Sequence, residues 1–129
     1  LASLEQSWPQ QIETVISEGH TPVVFTSRGE LHCSSPPERR ELGTELAQLM
    51  ARLAGGLAPR LGYLISKGGI TTHTLLESGL KAPWVELQGQ LFAGLSLVLT
   101  PEGLPVITFP GNLGDGSSLR QAWTLMQQP

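Results

Sequence analysis

Aspartate is almost missing from this chain. Of its 11 acidic residues ten are Glu, and the single Asp is Asp115. One Asp excludes an aspartic dyad, which needs two, and an EF-hand loop, which needs several Asp or Asn at fixed spacing. Lysine is nearly as scarce, with only Lys67 and Lys81. A net charge of −3 and no run of Lys/Arg leave no electrostatic footprint for nucleic acid. One cysteine, Cys33, excludes an internal disulfide and a Cys-based zinc site, and it fits a reducing, cytoplasmic setting. The three histidines, His20, His32 and His73, have no i, i+4 pairing that would hold a metal, so no metal site is expected from side chains alone. No apolar run approaches the roughly 18 residues of a membrane span, and no charged start precedes an apolar stretch as in a signal peptide. Charged residues make up 15% and hydrophobic ones 40% of 129 residues, enough apolar material for the core of one domain.

What the chain does have is punctuation: 15 Gly and 10 Pro, placed between periodic segments. Ser7, with Gln10 three residues on, reads as the cap of a first helix that buries Trp8, Ile12, Val15 and Ile16 and ends at Gly19. Thr21-Pro22-Val23-Val24-Phe25-Thr26 reads as a buried strand. Ser35, Pro36 and Glu38 open a second helix, which carries a stripe of Leu42, Leu46, Leu49, Met50 and Leu53 and is expected to stop at Gly55-Gly56. A second strand is expected at residues 61–65, and a short helix from about Thr71 to Ser78, capped by Gly79. Residues 84–87, 95–99 and 104–109 then read as strands without intervening helices. Thr100-Pro101-Glu102-Gly103 turns the last two into an antiparallel hairpin. A final helix carries Leu119, Ala122, Trp123 and Met126 on one face. Strands alternating with helices, followed by a hairpin, predict a single α/β domain with a mixed, largely parallel sheet, flanking helices and a C-terminal β-hairpin element.

Two glycine-rich loops lie between a predicted strand and a predicted helix. In Ser66-Lys67-Gly68-Gly69-Ile70-Thr71-Thr72 the glycines let backbone N–H groups approach a ligand, and the helix start adds donors and the positive end of a dipole. Lys67, Thr71 and Thr72 add a charge and hydroxyls, which together make a phosphate site. The spacing is not that of a Walker A loop. A tight turn, with Gly for geometry and Thr as cap, accounts for the loop equally well. The second loop, Gly111-Asn112-Leu113-Gly114-Asp115-Gly116, lacks the dinucleotide-binding glycine order. Alone it reads as a turn in which Asp115 or Ser117 caps the last helix. Together the loops are more suggestive, because loops at the carboxyl ends of parallel strands are where such sheets bind ligands. His73 lies beside the first loop and reads as a solvated side chain. Cys33 next to His32 has no orienting acid in view, and Arg28 reads as a surface residue.

Ser66-Lys67-Gly68-Gly69-Ile70-Thr71, then Gly94 before a strand, then Phe109-Pro110-Gly111-Asn112-Leu113-Gly114-Asp115 resembles the C-terminal nucleotide-binding domain of the four-carbon acid sugar kinases, from about residue 12 to 128. The resemblance implies that Gly68, Gly69, Ile70 and Thr71, with Gly111, Asn112 and Gly114, hold ATP or ADP. Lys67 and Asp115 are then placed to meet phosphates or Mg²⁺. Many members carry Glu where this chain has Ile70, and others share the Lys-Gly-Gly-Ile form. The family's substrate half is an N-terminal domain with an Asp-rich motif that nothing here matches, so no catalytic residue is expected in this chain. The start at Leu1 rather than Met agrees with a C-terminal fragment of a longer two-domain kinase, with residues 1–129 its nucleotide-binding domain. The implied activity is phosphorylation of a hydroxyl on a four-carbon sugar acid such as erythronate, threonate or an oxo-tetronate. The missing half is then the partner, and the fragment alone is expected to be inactive. A homo-oligomer stays open, with Trp84, Leu91 and Phe92 able to face either the other half or a sister chain. The competing reading is a non-catalytic interaction or effector module.

Overall fold

Gly19 ends the first helix as its position suggests. Helix α1 runs over Ala2–Ser17, and Gly19 takes a positive φ of 84°. Its N–H bonds to the Ile16 carbonyl at 3.0 Å, and the His20 N–H bonds to the Val15 carbonyl at 3.1 Å. That pairing satisfies the last carbonyls of the helix with a left-handed glycine just past its end. The start differs from the expectation: the helix begins well before Ser7 and carries Pro9 inside it. Proline removes one N–H bond there, and the ion pairs Glu5–Arg52 and Glu13–Arg60 tie the two halves of α1 to the second helix and to the turn that follows it.

This structure is a computed structural model, and it describes residues 2–25, 36–110 and 117–127. Helix α2 spans Pro36–Leu57 and continues through Gly55 and Gly56, where the sequence predicts a stop. The reason is packing. A Cβ built on Gly55 would lie 2.5 Å from the Gly79 carbonyl oxygen, and one on Gly79 would lie 2.3 Å from the Ala51 carbonyl oxygen. Glycine at both positions lets α2 touch the backbone of the turn at residue 79, and this contact outweighs the low helix propensity of Gly. The predicted leucine stripe is the buried side of α2, with Leu49 fully covered. A short 3₁₀ turn, Ala58–Arg60, leads into strand β1, Leu64–Lys67. Helix α3, Gly69–Thr74, follows at once and widens into a π-turn over Leu75–Gly79. The chain then forms β2 (Glu86–Phe92), β3 (Leu95–Leu99), β4 (Pro105–Phe109) and helix α4 (Ser118–Met126).

The four strands make one mixed sheet in the order β1-β4-β3-β2. The flanking helices and the C-terminal hairpin agree with the α/β expectation, but the balance of strand directions does not. Only β1 and β4 are parallel, whereas β2–β3 and β3–β4 are antiparallel. Antiparallel neighbours need only a tight link, and Gly94 (φ 88°) and Gly103 (φ 87°) supply the turns. The predicted strand at residues 21–26 adds no parallel pair, because residues 21–25 have no regular structure and Thr26 lies outside the described residues.

Side chains alternate across the sheet and divide the core in two. On one face Val98 and Val106 pack with Ala54 of α2 and with Leu75 and Leu80. On the other face Leu95, Ile107 and Phe109 pack with Ala122 of α4. Helices α2 and α3 therefore cover one face and α4 the opposite one. Among the described residues no helix is long and apolar enough to cross a membrane.

Candidate functional site

Strands β1 and β4 lie side by side and point the same way, so their carboxyl ends share one edge. From that edge β1 feeds α3 on one face, while β4 leads to α4 on the other. Adjacent parallel strands whose connections leave to opposite faces open a crevice between them, which is where open α/β sheets bind ligands. The first glycine loop sits in this crevice. The Gly68 N–H donates to the Phe109 carbonyl at 2.7 Å and so joins the two strand ends, and the Gly68 carbonyl accepts the Thr72 N–H at 2.9 Å. Gly68 has φ 102° and ψ 133°, a combination that side-chain-bearing residues rarely adopt. No side chain caps α3, so the first turn presents its backbone donors beside a glycine, with nothing within 4 Å of a Cβ position at Gly69.

The structure sorts the polar groups of this loop. Thr72 is buried, and its hydroxyl pairs with the Ser66 hydroxyl at 2.8 Å. That pair links the end of β1 to the first turn of α3 and makes Thr72 a positioning group, unlike the ligand contact the sequence suggests. The adjacency of Ser66 and Thr72 was legible only as two hydroxyls on either side of the loop. Thr71 stays half-buried at the lip, and Ile70 points outward, exposed. Lys67 reaches across to β4: its Nζ lies 4.2 Å from the Phe109 ring centroid and donates to the Pro110 carbonyl at 3.4 Å. The cation is thereby parked at the mouth of the crevice by a ring face and a carbonyl. His73 points along α3 and pairs with Glu77 at 2.9 Å on the exposed surface. Ser117 begins α4 without a side-chain cap bond, while its hydroxyl accepts from the Gln121 amide at 3.1 Å.

Lys67, Gly68, Gly69, Ile70 and Thr71 are thus brought together on one edge, against the end of β4. Gly111, Asn112, Gly114 and Asp115 lie outside the described residues, as do Arg28, His32 and Cys33. Among the described residues no group of three His, Cys, Asp or Glu side chains gathers to hold a metal ion. What the described part of this edge offers is the backbone of a glycine-rich helix start and one lysine.

The model of a family described as a nucleotide-binding C-terminal domain matches residues 2–119. Two solved structures, both of a domain of unknown function (DUF1537) from Bordetella bronchiseptica with bound citrate as a domain-swapped dimer, share the fold. One is 23% identical with a TM-score of 0.66 over 95% of this chain. The other, in a second crystal form, is 22% identical with a TM-score of 0.56 over 92%. The chain spans about a third of the solved chains, 32% and 30% of their length. No curated protein matches it.

Proposed function

The chain belongs to the family of nucleotide-binding C-terminal domains, and we propose that it holds ATP or ADP in the crevice between β1 and β4 as one half of a kinase for four-carbon sugar acids. The observation that carries the reading is the glycine at the switch point: Gly68, at a φ of 102° that favours glycine, ties the ends of two parallel strands whose helices leave to opposite faces. Phosphates would lie against the backbone of residues 68–71, where no Cβ intrudes at Gly68 or Gly69. Lys67 would swing from its resting place over Phe109 to meet their charge. Gly111, Asn112 and Gly114 would close the other side, and Asp115 would meet the Mg²⁺ that arrives with the nucleotide. That ion would neutralise developing phosphate charge, and the protein's share is placement, since phosphoryl transfer relies on positioning and electrostatics.

No residue of this chain is assigned to proton abstraction or to the sugar acid. Both would come from an N-terminal substrate domain, and the 129 residues alone would bind nucleotide weakly and phosphorylate nothing. The location would be cytoplasmic, where ATP is available, and the domain-swapped state of the two solved relatives makes a homo-oligomer the expected assembly. Calorimetry with Mg-ADP tests the central claim. Binding in the millimolar range that weakens at least tenfold in Gly68→Val supports it. No heat at millimolar nucleotide, from this chain and from a longer protein that includes the other half, would overturn it.

A further inference from the structure

Residues 21–25 leave an apolar, β-branched stretch in solvent: Val23 is 64% and Phe25 72% exposed. Beside them lies an edge of the sheet. Strand β1 ends the sheet, and among the described residues no strand lies on its outer side, although helices cover both of its faces. Helix α4 exposes Leu119 (41%) and Trp123 (39%), one turn apart on the same side. One contact already joins the two: the Trp123 indole N–H donates to the Thr21 hydroxyl at 2.9 Å.

The direction of the chain fits a docking strand. Helix α1 runs alongside α2, with Glu5 at Arg52 and Glu13 at Arg60, so it ends near the amino end of β1. From there the chain has to travel back to the start of the 22-residue helix α2 at Pro36, and such a return runs the way β1 runs. A stretch that enters parallel to β1 and is followed by the 22-residue helix α2 and then by β1 has the order of a βαβ unit, whose two strands pair in parallel. The spacings match as well. Helix α4 runs opposite to β4, so Leu119 lies about 6 Å beyond Trp123 towards the glycine-loop edge, and Val23 lies about 6.6 Å beyond Thr21 in an extended chain. With Thr21 on Trp123, Val23 falls on Leu119 and Phe25 beyond it, while Pro22 and Val24 turn to the α2 side. Proline at the second position is tolerated on an edge strand.

We infer that residues 21–25 are a strap that closes as a fifth strand on the outer edge of β1, with Val23 and Phe25 covering the Leu119–Trp123 stripe of α4. The structure holds the strap open, fastened at Thr21. Closure brings its carboxyl end to the edge where Gly68 and Pro110 lie. The inference stands on packing alone and does not depend on which ligand the crevice takes.

Two measurements test it. In a Cys33→Ser background, Val23→Cys with Leu119→Cys should form an intramolecular disulfide at least tenfold faster than Val23→Cys with Leu87→Cys. Leu87 lies on β2, about four strand spacings or 19 Å from the docked strap. Non-reducing electrophoresis should show a cross-linked monomer. Amide exchange on the unaltered chain should show Val23, Val24 and Phe25 protected at least tenfold over an unstructured peptide, which decides the matter if the cysteine pair disturbs folding. A disulfide that appears only between two chains would assign the edge to a second copy and overturn the strap, and so would unprotected amides with cross-linking no faster than the control.

Discussion

Gly55 and Gly56 are adjacent in α2 and should respond to alanine with opposite signs. A methyl on Gly55 would lie 2.5 Å from the Gly79 carbonyl oxygen and 3.2 Å from its carbonyl carbon. A methyl on Gly79 would lie 2.3 Å from the Ala51 carbonyl oxygen, 2.9 Å from its carbon and 3.0 Å from its Cα. These neighbours are backbone and cannot rotate away, so α2 and the π-turn must separate by roughly 1 Å, which opens the contact among Ala54, Leu75 and Leu80. Overpacking of this kind costs about 1–3 kcal/mol. Alanine returns about 1 kcal/mol of helix propensity at Gly55. The expected net is a destabilisation of up to about 2 kcal/mol for Gly55→Ala and of about 1–3 kcal/mol for Gly79→Ala, large against the 5–15 kcal/mol of a typical domain. Gly56 is exposed with nothing within 4 Å of its Cβ position, so Gly56→Ala should stabilise by up to about 1 kcal/mol. Urea denaturation followed by far-ultraviolet circular dichroism reads all three as shifts in midpoint at constant slope. Equal midpoints for Gly55→Ala and Gly56→Ala would refute the close crossing of α2 on the π-turn, and with it the account of why α2 runs past its predicted stop.

Four further outcomes follow from particular contacts. Ser66→Ala leaves the buried Thr72 hydroxyl without its 2.8 Å partner and should cost about 1–3 kcal/mol in urea midpoint analysis, part of it recovered in the double variant with Thr72→Val. Gly68→Ala should cost about 1–3 kcal/mol from its φ of 102° alone, and calorimetry should show nucleotide affinity falling more than stability does. Lys67→Met should change stability by less than about 1 kcal/mol, since the lysine is exposed and contacts at an exposed site contribute little, yet it should weaken Mg-ADP binding and flatten its salt dependence. Leu49→Ala, at a fully buried site of α2, should lose about 2–5 kcal/mol by thermal or urea unfolding.

The elements that were legible in the sequence are those whose signals are local. The residue 95–99 strand, the turn at Thr100–Gly103 and the Gly19 helix end each rest on chemistry within a few residues, and each stands in the structure where it was read. The errors share a different cause. Helix α2 passes its double glycine because of a contact with residue 79. β1 sits further along than residues 61–65, at Leu64–Lys67, where it pairs with β4. Residues 21–25 have strand composition but no strand, because composition does not supply a partner. The direction of the sheet was misjudged for the same reason. Alternation of strands and helices predicts parallel pairs, while the short links after β2 and β3 can only reverse the chain.

The candidate site shows the same limit more sharply. From the sequence the loop at Gly68 is equally a tight turn or a phosphate cradle, because both need glycine after a strand and before a helix. What bears on the choice is which face each following helix takes, a property of the whole sheet. Ser66 and Leu64 face α2 and α3, Ile65 and Lys67 face the α4 side, and β4 carries Phe109 on that same side. This alternation goes with α3 and α4 on opposite faces, the arrangement beside which open α/β sheets bind ligands. Gly68 at φ 102° serves either reading, because glycine takes that conformation readily and a residue with a side chain rarely does. The nucleotide reading therefore rests on where the loop stands, at the carboxyl ends of two parallel strands with Lys67 beside it, and the affinities of Gly68→Ala and Lys67→Met for Mg-ADP decide it.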